Sequence, residues 1–249
     1  MMAAAAPPAD TDRLDLPPAF TLVRAPAPMG AFELACRLAD RDGAGTLVWP
    51  LCEDRLDVAV VLEPDEPLRT ARRAFVAGMA ALVDALGSAA PPEKPITLEW
   101  PDTVRFDGAR LGGGRLGWPK TCAEDEAPAW MVFGATLIAS KSRAGDPGLT
   151  PDSTSLDEEG FERDGHAAFV EAFARYLMRG FDSWRGDGFE AMSAAYLARL
   201  SGRRAGERLA LDEVGDLLTM TGSCVIRTAL LPGLQASSWL DPATGGPRL

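Results

Sequence analysis

The stretch Ile96-Thr-Leu-Glu-Trp-Pro-Asp-Thr-Val-Arg-Phe-Asp-Gly-Ala-Arg-Leu-Gly-Gly-Gly-Arg115 decides how the rest of the chain is read. Ile96 to Trp100 and Thr103 to Phe106 are short runs rich in β-branched and aromatic residues, separated at Pro101, which cannot donate to a sheet ladder. Asp107-Gly108 is a hairpin signal, because both residue types tolerate the positive φ of a tight turn. From Arg110 to Trp118 the chain reads as extended again, and Trp130 to Ser140 supplies a fourth apolar run. Together they predict neighbouring strands of one sheet, with regular alternation placing Arg110, Gly112 and Gly114 on one face and Arg115 on the other.

Upstream, Leu56-Asp-Val-Ala-Val-Val-Leu62 is short and almost continuously apolar, as in a strand covered on both faces. Thr46 to Trp49 predicts another strand. A helix is expected from Gly30 to Arg41, ended by Gly43, and a second over Leu68 to Leu86, where apolar residues recur every three or four positions. Downstream, residues 141–160 are rich in Gly, Pro, Ser and Asp and read as a loop. Asp164 is placed to cap a helix carrying Phe169, Val170, Phe173 and Leu177. Asp187 and Glu190 have capping-box spacing for one more. Beyond Gly202, Arg208 to Leu211, Asp216 to Met220 and Cys224 to Leu230 predict short strands. The expected organisation is a disordered tail over 1–19, an α+β domain over 20–202 with a mixed sheet backed by helices, and a small β-rich C-terminal domain over 203–249.

The 249 residues are long enough for one large domain with an appendage. A net charge of −11 repels phosphate backbones and anionic lipid surfaces, so neither nucleic acid nor membrane is an expected partner. The four cysteines form no CxxC pair and His166 is the sole histidine, which argues against a zinc or imidazole metal centre. The start lacks a basic, signal-like segment, and the longest apolar stretch, Ala129 to Ala139, is about half a membrane span. A cytoplasmic, metal-free protein is expected.

The opening stretch resembles the central signature of the biotin/lipoate protein ligase family: a strand ending in Lys-Trp-Pro-Asn-Asp, a second strand, an Asp-Gly turn, and Lys-Leu-Ala-Gly opening a third. Two further segments are similar. Val132-Phe-Gly-Ala-Thr-Leu-Ile138 stands where the family has a Gly-x-Gly-x-Asn strand, and Thr154-Ser-Leu-Asp-Glu-Glu159 matches its Thr-Ser-Leu segment. Gly180-Phe-Asp-Ser-Trp184 through Leu200 follows its helical pair. The likeness spans residues 28–200, and Leu211 to Leu218 is weakly similar to the family's small C-terminal domain.

The resemblance implies acyl chemistry: biotin or lipoate is joined to ATP, with Mg²⁺ assisting, and passed to a lysine of a biotinyl or lipoyl carrier domain. Bringing a carboxylate to a phosphate crowds anions together, so cations and backbone N–H groups must offset the repulsion. At those positions the chain departs from the pattern. Pro50-Leu-Cys-Glu-Asp-Arg55 stands in place of the Gly- and Arg-rich phosphate loop, and Arg110 in place of the central lysine. Glu99, Asp102 and Thr103 replace Lys, Asn and Asp, and Met29-Gly-Ala31 replaces the Ser-Thr-Asn segment that seats biotin.

The implied catalytic position is therefore Arg110. Glu99, Trp100, Asp102, Gly112, Gly113, Gly114, Arg115 and Thr136 are the implied ligand-binding residues. Arg110 reads either as a carboxylate clamp beside bare glycine backbone or as a solvated arginine at a bend. Glu99 and Asp102 read either as an acid–base pair or, as we favour, as structural partners of Arg110 or of turn amides. Trp49, Trp100 and Trp118 line a pocket or belong to the core, Cys122 is read as an ordinary thiol, and His166 as a surface residue. The expected function is binding of a small carboxylate or acyl ligand by a possible pseudoenzyme without standard adenylate formation. The alternative is an active biotin, lipoate or octanoate ligase or transferase acting on a carrier protein, with ATP and Mg²⁺ retained.

Overall fold

The computed structural model describes residues 14–26, 29–91, 93–143, 145, 149–162 and 165–249. The expected tail falls outside these residues through position 13; Leu14 and Leu16 already pack on the core. Asp164, the expected helix cap, is also outside them.

Seven strands form a single sheet in the order β1 (Thr21–Val23), β2 (Thr46–Val48), β3 (Arg55–Leu62), β7 (Met131–Ile138), β6 (Ala109–Gly117), β5 (Thr103–Phe106) and β4 (Ile96–Glu99). The β1–β2 pair is parallel and the others are antiparallel, so the sheet is mixed as expected. β3 and β7 form its centre and are paired along their whole lengths, Arg55 opposite Ile138 through Leu62 opposite Met131. Their nearly unbroken burial explains the apolar runs that made both legible.

Helices cover both faces. On one side α3 (Ala74–Ala89), α4 (His166–Asp187) and α5 (Phe189–Arg199) bury Phe75, Met79, Leu82, Phe173, Leu177 and Tyr196 against Val58, Val60, Phe133 and Ala135. On the other, α1 (Ala31–Asp42) lays Ala31, Ala35 and Ala39 on Val48, Ala59, Val61 and Val132. Small side chains on both partners let this helix lie close to the strands. Phe32 fits because Gly134 is bare: a Cβ there would come within 2.6 Å of its ring.

Three local expectations are corrected. The helix expected over Leu68 to Leu86 is two, α2 (Leu68–Ala71) and α3. Arg73 takes the Thr70 carbonyl with both its N–H and its side-chain Nε, while Arg72 is drawn off to a bidentate pair with Glu124. These bonds close tight turns where an α-helix would continue. The capping box at Asp187 does not form: Asp187 ends α4, and Gly188, at φ +92°, turns the chain into α5. The strand expected to reach Leu230 stops at Thr228, and α6 (Leu230–Gln235) follows.

A second sheet holds β8 (Arg208–Leu211), β9 (Leu217–Thr221) and β10 (Cys224–Thr228). After α6 the chain returns to the large sheet. The Ser238 hydroxyl meets that of Thr103 at 3.3 Å, Trp239 is fully buried, and the Arg248 carbonyl accepts from Arg110 Nε at 3.1 Å.

Candidate functional site

The site region is built by one irregularity in β6. Val104 pairs with Gly112 and Arg105 with Arg110, so Leu111 is an extra residue, a β-bulge. Gly112 there has φ +151°, in a region open essentially to glycine alone. The bulge reverses the alternation, which corrects the expected faces. Gly113 stands opposite Thr136, and Arg115 opposite Gly134. Both belong to the α1 face, and so does Arg110 beyond the bulge, opposite Arg105. A Cβ on Gly114 would instead strike Met79 and approach Phe75 on the helical side. Gly112 likewise lies off the α1 face, in register with core residues Val104 and Leu137. Trp100 packs edge-on against Tyr196 on that helical side too.

Across β3, β7 and β6 the α1 face carries Arg55, Asp57, Thr136, Gly113 and Arg115. Asp57 is 2% exposed, and both its oxygens are used: Oδ2 accepts the Ala31 N–H at 2.8 Å and Oδ1 the Thr136 hydroxyl at 3.0 Å. The carboxylate thus answers the first turn of α1, where the N-terminal residues offer no side-chain cap. Arg115 lies over the Phe32 ring, 4.5 Å from its centroid, and burial pulls its pKa down against the opposing fields of Asp57 and Glu33. Burial also pushes the nearby Cys36 thiol up to about 11, so it is a neutral thiol near pH 7.

At the far end of the same face the residues are engaged otherwise than expected. Glu99 pairs with Arg105 at 2.6 Å, not with Arg110. Asp102 is buried; that raises its carboxyl pKa, opposed by the Ser237 and Thr103 hydroxyls and by the Trp239 indole. Asp102 Oδ2 and Trp239 Nε1 nonetheless complete no hydrogen bond. Arg110 holds the Arg248 carbonyl, and its own backbone exchanges hydrogen bonds with Asp152 and Thr154. Trp239 covers Gly113 so closely that a Cβ at 113 would come within 2.5 Å of its Cδ1.

The structure therefore brings together Arg110, Gly113, Arg115 and Thr136, with Glu99 and Asp102 alongside. Sequence reasoning missed Arg55, Asp57 and Trp239. Asp57 did leave a signal, as the single charge within an apolar strand, whereas Trp239 left none, because its partner lies more than a hundred residues away. Cys122 fits the ordinary-thiol reading, its pKa raised by burial and by Glu126, Glu124 and Asp125. A separate crevice lined by Leu56, Pro91, Leu156, Phe161, His166 and Phe169 lies on the helical side, away from these groups. Among the described residues, no cluster of His, Cys, Asp and Glu has metal-binding geometry, and no helix is long and apolar enough to cross a membrane.

Comparison with known proteins agrees with this architecture. A biotin--[acetyl-CoA-carboxylase] ligase of Paracoccus denitrificans is 31% identical over 165 residues, 64% of this chain and 65% of the ligase, so the match spans just under two thirds of that relative. The crystal structure of a biotin protein ligase-like protein from Silicibacter sp. tm1040, itself of unknown function, superposes with a TM-score of 0.75 at 28% identity, over 89% of this chain and 99% of that one. Biotin protein ligase from Aquifex aeolicus shares the fold, with a TM-score of 0.61 at 15% identity over 84% and 95% of the two chains. The profile of the biotin/lipoate A/B protein ligase family matches residues 16–198. With the predicted strands, the mixed sheet and the small C-terminal sheet all in place, the chain belongs to the biotin/lipoate A/B protein ligase family.

Proposed function

We propose that this protein is a divergent family member that binds a small carboxylate or acyl ligand on the α1 face of the sheet, without the family's standard adenylate chemistry. The observation that carries the binding half of this reading is the β6 bulge, which sets Arg110 and Arg115 on one face. A guanidinium takes a carboxylate through two parallel charge-assisted hydrogen bonds.

The link between β2 and β3 supports the second half. Residues 49–54 join the strands with no glycine, and Glu53 and Asp54 put carboxylates where the family resemblance would seat phosphates. Backbone N–H groups there do not form a Gly-rich cradle, so the residues present do not fit ATP and Mg²⁺ in the family's usual manner. Arg110 keeps the charge of the family lysine, yet its planar head is no geometric equivalent of a compact ammonium. The four unbridged cysteines support action in a reducing compartment such as the cytoplasm.

A second reading, an active biotin, lipoate or octanoate ligase or transferase serving a carrier domain, is favoured by the 31% identity to the Paracoccus ligase. ATP–pyrophosphate exchange with biotin, lipoate and octanoate separates the two. We expect no exchange above the protein-free rate; robust exchange with any of the three, or a mass increase on a biotinyl carrier domain, establishes the second reading instead.

A further inference from the structure

Two guanidiniums on the α1 face have charge that no carboxylate among the described residues answers directly. Arg55 opens β3 and Arg115 lies in β6, and β7 separates their strands. Each has a buried Nε without a hydrogen-bond acceptor. Among the described residues, neither forms an ion pair with a carboxylate. The nearest buried acid, Asp57, spends both oxygens on neutral donors, the Ala31 amide and the Thr136 hydroxyl. Arg115 has only the face of Phe32 and the more distant fields of Asp57 and Glu33. Arg55 has the thiol of Cys52, and the two arginines lie near enough to repel each other.

Desolvating a cation without a hydrogen-bonded counter-ion is costly, and folded proteins keep such groups paired or committed to a ligand. Placing two of them together compounds the cost. A purely structural role fits poorly, since an apolar residue at 115 would pack on Phe32 with no charge to desolvate. The sheet supplies the surroundings: Thr136 lies on β7 between the two strands, opposite Asp57 and Gly113, and Phe32 packs on Gly134, the residue opposite Arg115.

We infer that Arg55 and Arg115 together form a binding site for a small multivalent oxyanion, a dicarboxylate or a phosphate group. The inference rests on the proposed function only in placing the ligand on the same face. It assigns the anion to this pair at the α1 end and not to Arg110, whose Nε is already committed to the Arg248 carbonyl. An uncharged, wholly apolar far end, such as that of octanoate, is then the wrong complement for this part of the crevice.

The test is calorimetric titration and thermal shift of the full chain at matched ionic strength, with glutarate, inorganic phosphate and octanoate as probes and chloride as the control. Glutarate or phosphate should bind saturably, and the stronger of the two identifies the source of the anion. Arg115→Gln and Arg55→Gln should each weaken that binding about tenfold or more, as expected when one partner of a desolvated charge pair is removed. Arg41→Gln, an exposed control at the end of α1 where the guanidinium pairs with Asp42, should leave it within about twofold, well short of that tenfold loss. The ligand-free melting point of Arg115→Gln should equal or exceed that of the wild type, because an uncompensated buried charge has been removed. The inference is overturned if neither anion binds better than chloride, or if Arg115→Gln lowers the melting point and leaves anion binding intact. Should octanoate bind through Arg110 alone, unaffected at Arg55 and Arg115, the proposed function stands and this inference falls.

Discussion

Replacing Trp239 by alanine tests whether the C-terminal segment is part of the large domain. The indole is fully buried on Gly113, and the chain around it is tied down at Thr103 by Ser238 and at Arg110 by the Arg248 carbonyl. Truncating a buried Trp costs about 3–5 kcal/mol. Against this, its Nε1 is buried without an acceptor, an existing penalty of about 1–3 kcal/mol that the truncation relieves. Taking the middle of each range, the net expectation for Trp239→Ala is about 2 kcal/mol, and at about 2–4 °C per kcal/mol for a chain of this size the melting point falls by about 4–8 °C. Trp239→Phe keeps most of the apolar contact and loses the orphan donor, so its loss should be at most half as large. Differential scanning calorimetry measures both, and near-ultraviolet circular dichroism reports loss of the fixed indole. Trp239→Ala melting within about 1 °C of the wild type, too little for even one kcal/mol, would refute the docking of this segment over Gly113.

Asp102 has a raised pKa in the fold against an ordinary 3.8, so the folded chain holds the proton to higher pH than the unfolded chain does. The contribution of Asp102 to stability should therefore decrease as pH rises above 3.8 and level off once the folded carboxyl has ionised; Asp102→Asn should be more stable than wild type at neutral pH, and the gain should vanish at about pH 3, as urea midpoints will show. Tyr196 donates to the Pro101 carbonyl at 2.6 Å from a fully buried position, and Tyr196→Phe leaves that acceptor unmet. A loss of about 1–2 kcal/mol in urea unfolding is expected, and no loss would mean the bond contributes nothing net.

What could be read from the sequence was whatever local physics decides. β3 and β7 are buried on both faces, so their apolar runs are continuous, and the Asp107-Gly108 turn fixes β5 against β6. Hidden features depend on partners far away in sequence. The break at Arg72 depends on Glu124, and β1 is three residues whose strand character comes from parallel pairing with β2. The bulge was hidden for a different reason: Gly112-Gly113-Gly114 permits several registers, and only the flanking ladders select the one with Leu111 extra. Arg110 and Arg115, expected on opposite faces from regular alternation, therefore share one face with Thr136.

That single inserted residue has consequences for the whole face. With regular alternation, Arg110 and Arg115 would lie on opposite sides of β6, and one guanidinium would enter the core against Met79 and Phe75, where Gly114 now leaves no room even for a methyl group. The bulge places both on the side covered by α1, whose alanines and Phe32 keep the helix low over the strands. Arg55 joins them from β3 by ordinary alternation with Asp57. Arg55, Arg110 and Arg115 thus share with Arg105 one side of a sheet in a chain of net charge −11, gathered by register and not by composition. The partly buried charge of Arg115 is screened by solvent far less than the exposed acidic groups are. Overall charge therefore argues against nucleic-acid partners without arguing against a small anion.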